Sequence, residues 1–387
     1  MNLKETLLRY VAIPMLVLIA LLAPTAPAQA TDHTLSLDTM IGQMMLIGFH
    51  GAAPEGKAAR RITRLIANGQ IGGVILMDRN IRSPRQLRAL TSKFLNTGHP
   101  LTPIISVDQE GGLVQRLSAK KGFRGYPTAR TIARLYTPEM ARRVYKAMAR
   151  ELASAGVNLN YGPVVDLNLN RRNPIIARLG RSYGADPERV VAYARAFISA
   201  HRDANVLTSV KHFPGHGSSL TDSHKRLVDL SRTWKDIELE PYRTLARDGT
   251  IDTIMVGHLY LPAFSGGQRL PATLAPQAIE GWIRRKLGFK GVVITDDLEM
   301  GAIRRNHNLR TTLIMAVQGG NDILMFSTAG SGPKFVPKAT QILRDAVLAG
   351  TIPRKRIEQA YARIKDLKQR LPASAALTAD AAKDAPR

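Results

Sequence analysis

Eight short runs of β-branched and aliphatic residues, separated by longer amphipathic stretches, restrict the fold more than any other feature of the chain. They are Met44–Phe49, Gly72–Met77, Pro103–Asp108, Tyr161–Leu167, Val206–Phe213, Asp252–Leu259, Gly291–Leu298 and Asp322–Ser327. Each is nearly continuous in apolar residues rather than alternating. Strands read that way when both faces are buried, as in a parallel sheet. Parallel neighbours need crossover connections, and the intervening stretches carry helical signals. Leu87, Leu90 and Leu95 recur at helical spacing after Ser83-Pro84. Asp186-Pro187 supplies an N-cap followed by a proline in the first turn. Eight β units with helical crossovers predict a single (β/α)8 TIM-type barrel. A doubly wound open sheet is the alternative that a strand count leaves open.

Polar and charged residues collect where the runs end. Asp108 ends the third run, Asp166 the fourth, Lys211 and His212 the fifth, His258 the sixth, and Asp296 with Asp297 the seventh. Barrel chemistry sits at the C-terminal ends of the strands, and a solvated rim would not place such groups at five consecutive strand ends. Asp297 is also expected to cap a following helix.

The N-terminus is a separate object. Lys4 and Arg9 precede an apolar run, Tyr10–Ala23, and the segment closes on Ala28-Gln29-Ala30. A basic start, an apolar stretch and an A-x-A site describe a secretory signal peptide over residues 1–30. The apolar run is shorter than the roughly 20 residues of a membrane span, so membrane attachment is expected only if the segment stays uncleaved. The barrel is expected over residues 31–370 and a frayed Ala/Pro-rich tail over 371–387. The chain has no cysteine, which excludes disulfides and lipid attachment through a cysteine. A formal charge of +25 attracts polyanions. For an exported protein, periplasmic or secreted, an anionic cell wall or anionic lipid headgroups fit that charge better than nucleic acid does.

The segment "KHFPGHGSSLTDSH", Lys211–His224, concentrates the polar chemistry. Pro214, Gly215 and Gly217 rule out a helix, so the segment is a loop leaving the fifth strand. His212 and His216 have the spacing of a helical zinc pair, but without the helix no metal site is implied. Asp222 and His224 stand two residues apart. A carboxylate beside an imidazole orients one ring nitrogen and leaves the other free for proton transfer near neutral pH. The reaction partner must come from elsewhere, and Asp296 offers a carboxylate that could attack an anomeric carbon. Gly215, Gly217 and Ser218-Ser219 suggest a loop of little rigidity that closes over whatever is bound.

Together these motifs resemble glycoside hydrolase family 3, and within it the bacterial β-N-acetylglucosaminidases, from about Leu35 to about Leu371. The family signature K-H-F-P-G-H-G, a spacer and D-[ST]-H stands here as Lys211–Gly217 and Asp222–His224. The resemblance implies a retaining β-N-acetylhexosaminidase that removes terminal β-linked N-acetylglucosamine, with peptidoglycan fragments (muropeptides) as the expected glycan. It implies that His224 is the acid/base, Asp222 its partner and Asp296 the nucleophile. For sugar binding it implies Asp108 in "SVDQEGG", Arg116 in "VQRL", Arg181 in "GRSYG", the pair Lys211 and His212, and His258 in the Met255–His258 segment. No cofactor and no metal are implied. The segment "RLGRSYG" departs from the family, which more often has an acidic residue just before the arginine. A phosphorylase or a β-glucosidase of the same family, or a wall-binding barrel without catalysis, are the rival readings.

Overall fold

Seven of the eight apolar runs hold a barrel strand within their bounds. Numbering only the barrel strands, these are β1 (Met45–Ile47), β2 (Gly73–Leu76), β3 (Ile104–Val107), β4 (Leu159–Asn160), β5 (Leu207–Phe213), β6 (Thr253–Val256), β7 (Val292–Thr295) and β8 (Leu324–Phe326). The computed structural model describes residues 35–328 and 332–372. The expected signal peptide therefore lies outside the described residues, as does the tail beyond Pro372. Leu371 itself is buried, and the Thr102 hydroxyl donates to the Pro372 carbonyl at 3.3 Å.

Every residue of the eight strands is buried, which explains their unbroken apolar character. All neighbours pair in parallel, from β7 through β6, β5, β4, β3, β2 and β1 to β8. The two ends of this ladder meet. Ile294 of β7 bridges Ile323 in parallel, and the Thr295 N–H donates to the Ile323 carbonyl at 3.0 Å. The result is a nearly closed eight-stranded parallel barrel of the TIM type, and the open-sheet alternative falls. A helix follows each strand, from Lys57–Ala67 after β1 to Phe335–Leu348 after β8. The expected caps are in place. Ser83 accepts from the Gln86 N–H at 3.2 Å, and Asp186 from the N–H groups of Glu188 and Arg189 at 3.3 and 3.2 Å.

The fourth run is the exception. The strand is Leu159–Asn160, just before Tyr161–Leu167. Pro163 has no N–H to give a ladder, and the run continues as a loop that meets β5 in an isolated bridge between Val164 and Lys211. That loop carries Asp166 beneath the end of β5.

The bottom of the barrel is stapled by charge. Asp322, buried just before β8, accepts from Arg356 and Arg363 of the last helix, Arg354–Gln369, at 2.9 and 3.1 Å. It also takes Arg284 at 2.7 Å and the Val293 N–H at 2.9 Å. The β7–β8 seam is thus pinned opposite the face where the site lies.

Candidate active site

A cavity of about 310 Å³ opens at the C-terminal ends of the strands. Asp108 ends β3 and faces it; Glu110 follows on a small hairpin, Gln109–Gly111 against Val114–Gln115. Lys211 and His212, consecutive in β5, both line the cavity. A strand would normally turn one of them away. The register between β5 and β6 shifts between Val210 and Phe213, and such an irregularity re-aims side chains.

Charges interlock on this side. Lys211 Nζ lies 2.7 Å from Asp108 Oδ1 and 2.7 Å from Glu110 Oε1. Arg181 forks onto Glu110, Nε to Oε2 at 2.7 Å and Nη2 to Oε1 at 2.8 Å. Arg116 stands 3.6 Å from Asp108 Oδ2. Burial pushes both carboxyls up, but the neighbouring cations outweigh it and hold both below the usual carboxylate range. Lys211 is raised: burial pulls it down, and Asp108 and Glu110 more than compensate. Sequence reasoning missed Glu110. It supplies the carboxylate for Arg181 that the "RLGRSYG" departure seemed to remove.

Asp166 fixes His212. It accepts from His212 Nδ1 at 2.7 Å, from the His212 N–H at 3.2 Å and from the His216 N–H at 2.8 Å. Arg181 Nη2 approaches the other ring nitrogen at 3.4 Å. An arginine can only donate, so Nδ1 carries the His212 proton and Nε2 is free to accept.

The loop beyond β5 is braced along its first half, contrary to the expectation of little rigidity. His216 is buried, with Nδ1 2.8 Å from Ser219 Oγ and Nε2 3.2 Å from Ser223 Oγ. Burial lowers its pKa to about 4, so it is a neutral strut. Gly217 serves close approach rather than freedom: a Cβ there would stand 1.6 Å from the Leu167 carbonyl oxygen. Glu238 accepts from the Gly217 N–H at 3.0 Å. Beyond this brace Asp222 Oδ1 takes both the His224 N–H at 2.9 Å and His224 Nδ1 at 2.7 Å. Burial raises the Asp222 carboxyl, but those hydrogen bonds and the His224 charge hold it low. The His224 side chain is 62% exposed, and the residue lines the cavity.

Asp296, at the end of β7, lines the same cavity. Burial pushes its carboxyl up, but His258, with His224 and the Asp297 N–H, outweighs it and keeps it ionised. That N–H donates to Asp296 Oδ1 at 2.8 Å. Asp297 does not cap a helix. Its carboxylate takes the N–H groups of Glu299 and Ser327 at 3.0 and 3.1 Å, tying the β7 end to the β8 end. The expectation for His258 needs correcting too. Met255 lines the cavity, but His258 is fully buried and both its ring nitrogens are taken by protein atoms. Among the described residues no group of three or more His, Cys, Asp or Glu side chains is disposed to hold a metal ion.

An ionised carboxylate and a carboxylate-backed imidazole thus share a cavity walled on one side by two anions and three cations. Such a set can attack an electrophilic carbon and move a proton to the group that leaves. The fold and the site define a TIM-type barrel protein with its ionisable groups at the C-terminal face. Residues 36–367 match the Glycosyl hydrolase family 3 N terminal domain, and the chain belongs to that family. It is 31% identical to beta-hexosaminidase LpqI of Mycobacterium tuberculosis, over 85% of this chain and 81% of that one. It is 29% identical to beta-hexosaminidase A of Pseudoalteromonas piscicida, over 91% of this chain, but spans only 64% of that protein. Its fold superposes on a glycoside hydrolase family 3 beta-N-acetylglucosaminidase from Paenibacillus sp. str. FPU-7 with a TM-score of 0.79 and 32% identity, covering 91% of this chain and 64% of that one.

Proposed function

We propose that the chain is a retaining β-N-acetylhexosaminidase that removes terminal β-linked N-acetylglucosamine. The observation that carries this reading is the presence of Asp296 and the Asp222–His224 pair on one cavity, beside the Asp108–Lys211–Arg181 cluster. The names of its hexosaminidase relatives support the substrate class.

Asp296 attacks the anomeric carbon while His224 Nε2 gives its proton to the departing glycosidic oxygen. The C1–oxygen bond breaks and a glycosyl-aspartate forms. His224 then takes a proton from water, the water oxygen bonds to C1, and the electron pair of the Asp296–C1 bond returns to the carboxylate. Two inversions give net retention. Asp222 holds Nδ1, so the proton in transit is always on Nε2. Asp108 accepts from sugar hydroxyls, and Lys211 and Arg116 keep it ionised.

The basic start, apolar stretch and A-x-A site of residues 1–30 support action outside the inner membrane. Exposed cations flank the catalytic loop: Lys225 and Arg226 follow His224, and Arg304 and Arg305 stand at the end of the short helix Gly301–Arg304, whose Gly301 N–H donates to the His224 carbonyl. They support an anionic wall polymer as the setting and muropeptides as the substrate.

Hydrolysis of a chromogenic β-N-acetylglucosaminide by wild type, Asp296→Ala and His224→Ala tests the reading. Turnover by wild type is expected, with Asp296→Ala inactive and His224→Ala least impaired on good leaving groups. Activity on the β-glucoside alone would move the substrate class. Glycosyl phosphate among the products in phosphate buffer would make the enzyme a phosphorylase, and inactivity on both substrates would favour a wall-binding barrel.

A further inference from the structure

The protons around His258 can be counted. Nε2 lies 2.8 Å from the Asp297 carbonyl oxygen, and Nδ1 lies 2.8 Å from Thr273 Oγ1. Thr273 Oγ1 is in turn 2.8 Å from the Gly257 carbonyl oxygen and 3.2 Å from that of Val256. Carbonyls only accept, so Nε2 must carry a proton for the first contact and Thr273 must spend its single proton on a backbone carbonyl. The remaining contact, between Nδ1 and Oγ1, then needs a proton on Nδ1. Either neutral tautomer would set two lone pairs against each other at 2.8 Å in a buried site, leaving a polar group unsatisfied there. Asn321 Nδ2 donates to the Thr273 carbonyl at 2.8 Å and holds this backbone in place.

We infer that His258 is a buried imidazolium, standing behind the nucleophile as its fixed counter-charge and as a positioning residue. The groups that face it agree. Asp296 and Asp297 come from the end of β7, and His212 stands on β5 across Gly257, already shown to be neutral. The segment Ala272–Leu274, which brings Thr273, carries no charge. His258 holds the carbonyl of Asp297, whose N–H holds Asp296 Oδ1, so one residue links the cation to the reacting carboxylate.

The consequence is for the second half of the reaction, and rests on Asp296 being the nucleophile. In the glycosyl-enzyme Asp296 is a neutral ester and the imidazolium has lost its anion. Breaking the C1–Asp296 bond restores the pair, so His258 makes the carboxylate a better leaving group and speeds deglycosylation.

NMR of protein with 15N-labelled histidine, at pH 7.5, tests the charge without any turnover. Both ring nitrogens of His258 are expected to be protonated, with slowly exchanging N–H protons; the signature of one neutral tautomer overturns the inference. Kinetics tests the role. His258→Gln can still donate to the Asp297 carbonyl but has no charge. We expect kcat to fall by about tenfold, KM to fall with it as glycosyl-enzyme accumulates, and the acid limb of kcat/KM to move up by about one pH unit. An unmoved acid limb with kcat and KM unchanged overturns the counter-charge. Should that variant not fold, the wild-type spectrum decides, assigned through ring-to-backbone correlations. A wild type inactive on every glycoside would sink the proposed function and leave the charge measurement standing.

Discussion

The Lys211 ammonium lies 2.7 Å from the carboxylate of Asp108 and 2.7 Å from that of Glu110. One buried cation therefore holds two carboxylates in place. Both line the cavity, but Glu110 is also occupied by the Arg181 fork, which leaves Asp108 the freer of the two anions. The cluster separates the carboxylate proposed to bind the sugar from the one that fixes Arg181.

Removing that cation should be costly twice over. Lys211→Met fits the volume but leaves two buried carboxylates facing each other. A loss of about 3–5 kcal/mol is expected from breaking one partner out of a buried ion cluster. Urea unfolding measures it, and KM for the chromogenic substrate should rise in the same variant. A variant as stable as wild type would mean that Arg181 and Arg116 suffice to hold both anions.

Gly217→Ala tests whether the root of the loop that carries Asp222 and His224 is rigid. The added methyl would stand 1.6 Å from the Leu167 carbonyl oxygen, a backbone atom with nowhere to go. The loop must lift, carrying Asp222 and His224 with it. A fall in kcat of about 100-fold is expected, since misplacement of catalytic groups by about 1 Å costs that much. The circular dichroism spectrum should be unchanged. Full activity would show that the loop reaches its working position from elsewhere.

Some of this was legible in the sequence, for physical reasons. The barrel was, because both faces of each strand are buried and the apolar runs are therefore unbroken. The Asp222–His224 pair was, because both residues lie in one loop and their contact is local. Glu110 was not: its partner Arg181 is 71 residues away, and nothing local marks the pair. His258 was misplaced because a strand end says nothing of direction. Met255 faces the cavity, and two-residue alternation from it puts Gly257 inside and His258 behind. Lys211 and His212 break that alternation where the β5 register is irregular, which the sequence does not announce.

Acid should weaken the support beneath Asp108 and Glu110. Asn160 holds the backbone of Gln109, between them, with Oδ1 on its N–H and Nδ2 on its carbonyl, both at 2.9 Å. His201 braces Asn160 at 3.0 Å through Nε2, while its Nδ1 faces the Phe197 carbonyl at 2.9 Å. His201 must therefore stay neutral, and burial lowers its pKa to about 4. The unfolded chain, near 6.5, takes up the proton first. Stability from this group is complete above about pH 6.5 and is lost as pH falls toward 4, by about 3 kcal/mol. Glu238, which burial raises to about 7, titrates in the opposite sense between about 7 and 4.5, so a difference measurement is needed. The stability gap between wild type and His201→Gln, from urea unfolding at pH 7.5 and 4.5, should narrow by that amount. A gap independent of pH would mean that His201 is not the titrating brace.

Lys368 gives the contrary dependence, on the alkaline side. Its ammonium is buried at the foot of the barrel, donating to Gln43 Oε1 at 2.6 Å and the Gly72 carbonyl at 2.7 Å. Both partners are neutral, and burial lowers its pKa to about 7. In the unfolded chain the same amine titrates near 10.4. Between these values the unfolded state holds the extra proton, so stability rises with pH from about 7 and levels off above about 10. Lys368→Met removes that term together with two hydrogen bonds. Its absolute stability mixes the two effects, but its pH dependence does not. From pH 7 to pH 9.5 wild type should gain on the variant by about 3 kcal/mol in urea unfolding. Parallel curves would mean that Lys368 keeps its proton in the folded state, with Gln43 Oε1 and the Gly72 carbonyl solvating the charge as well as water does.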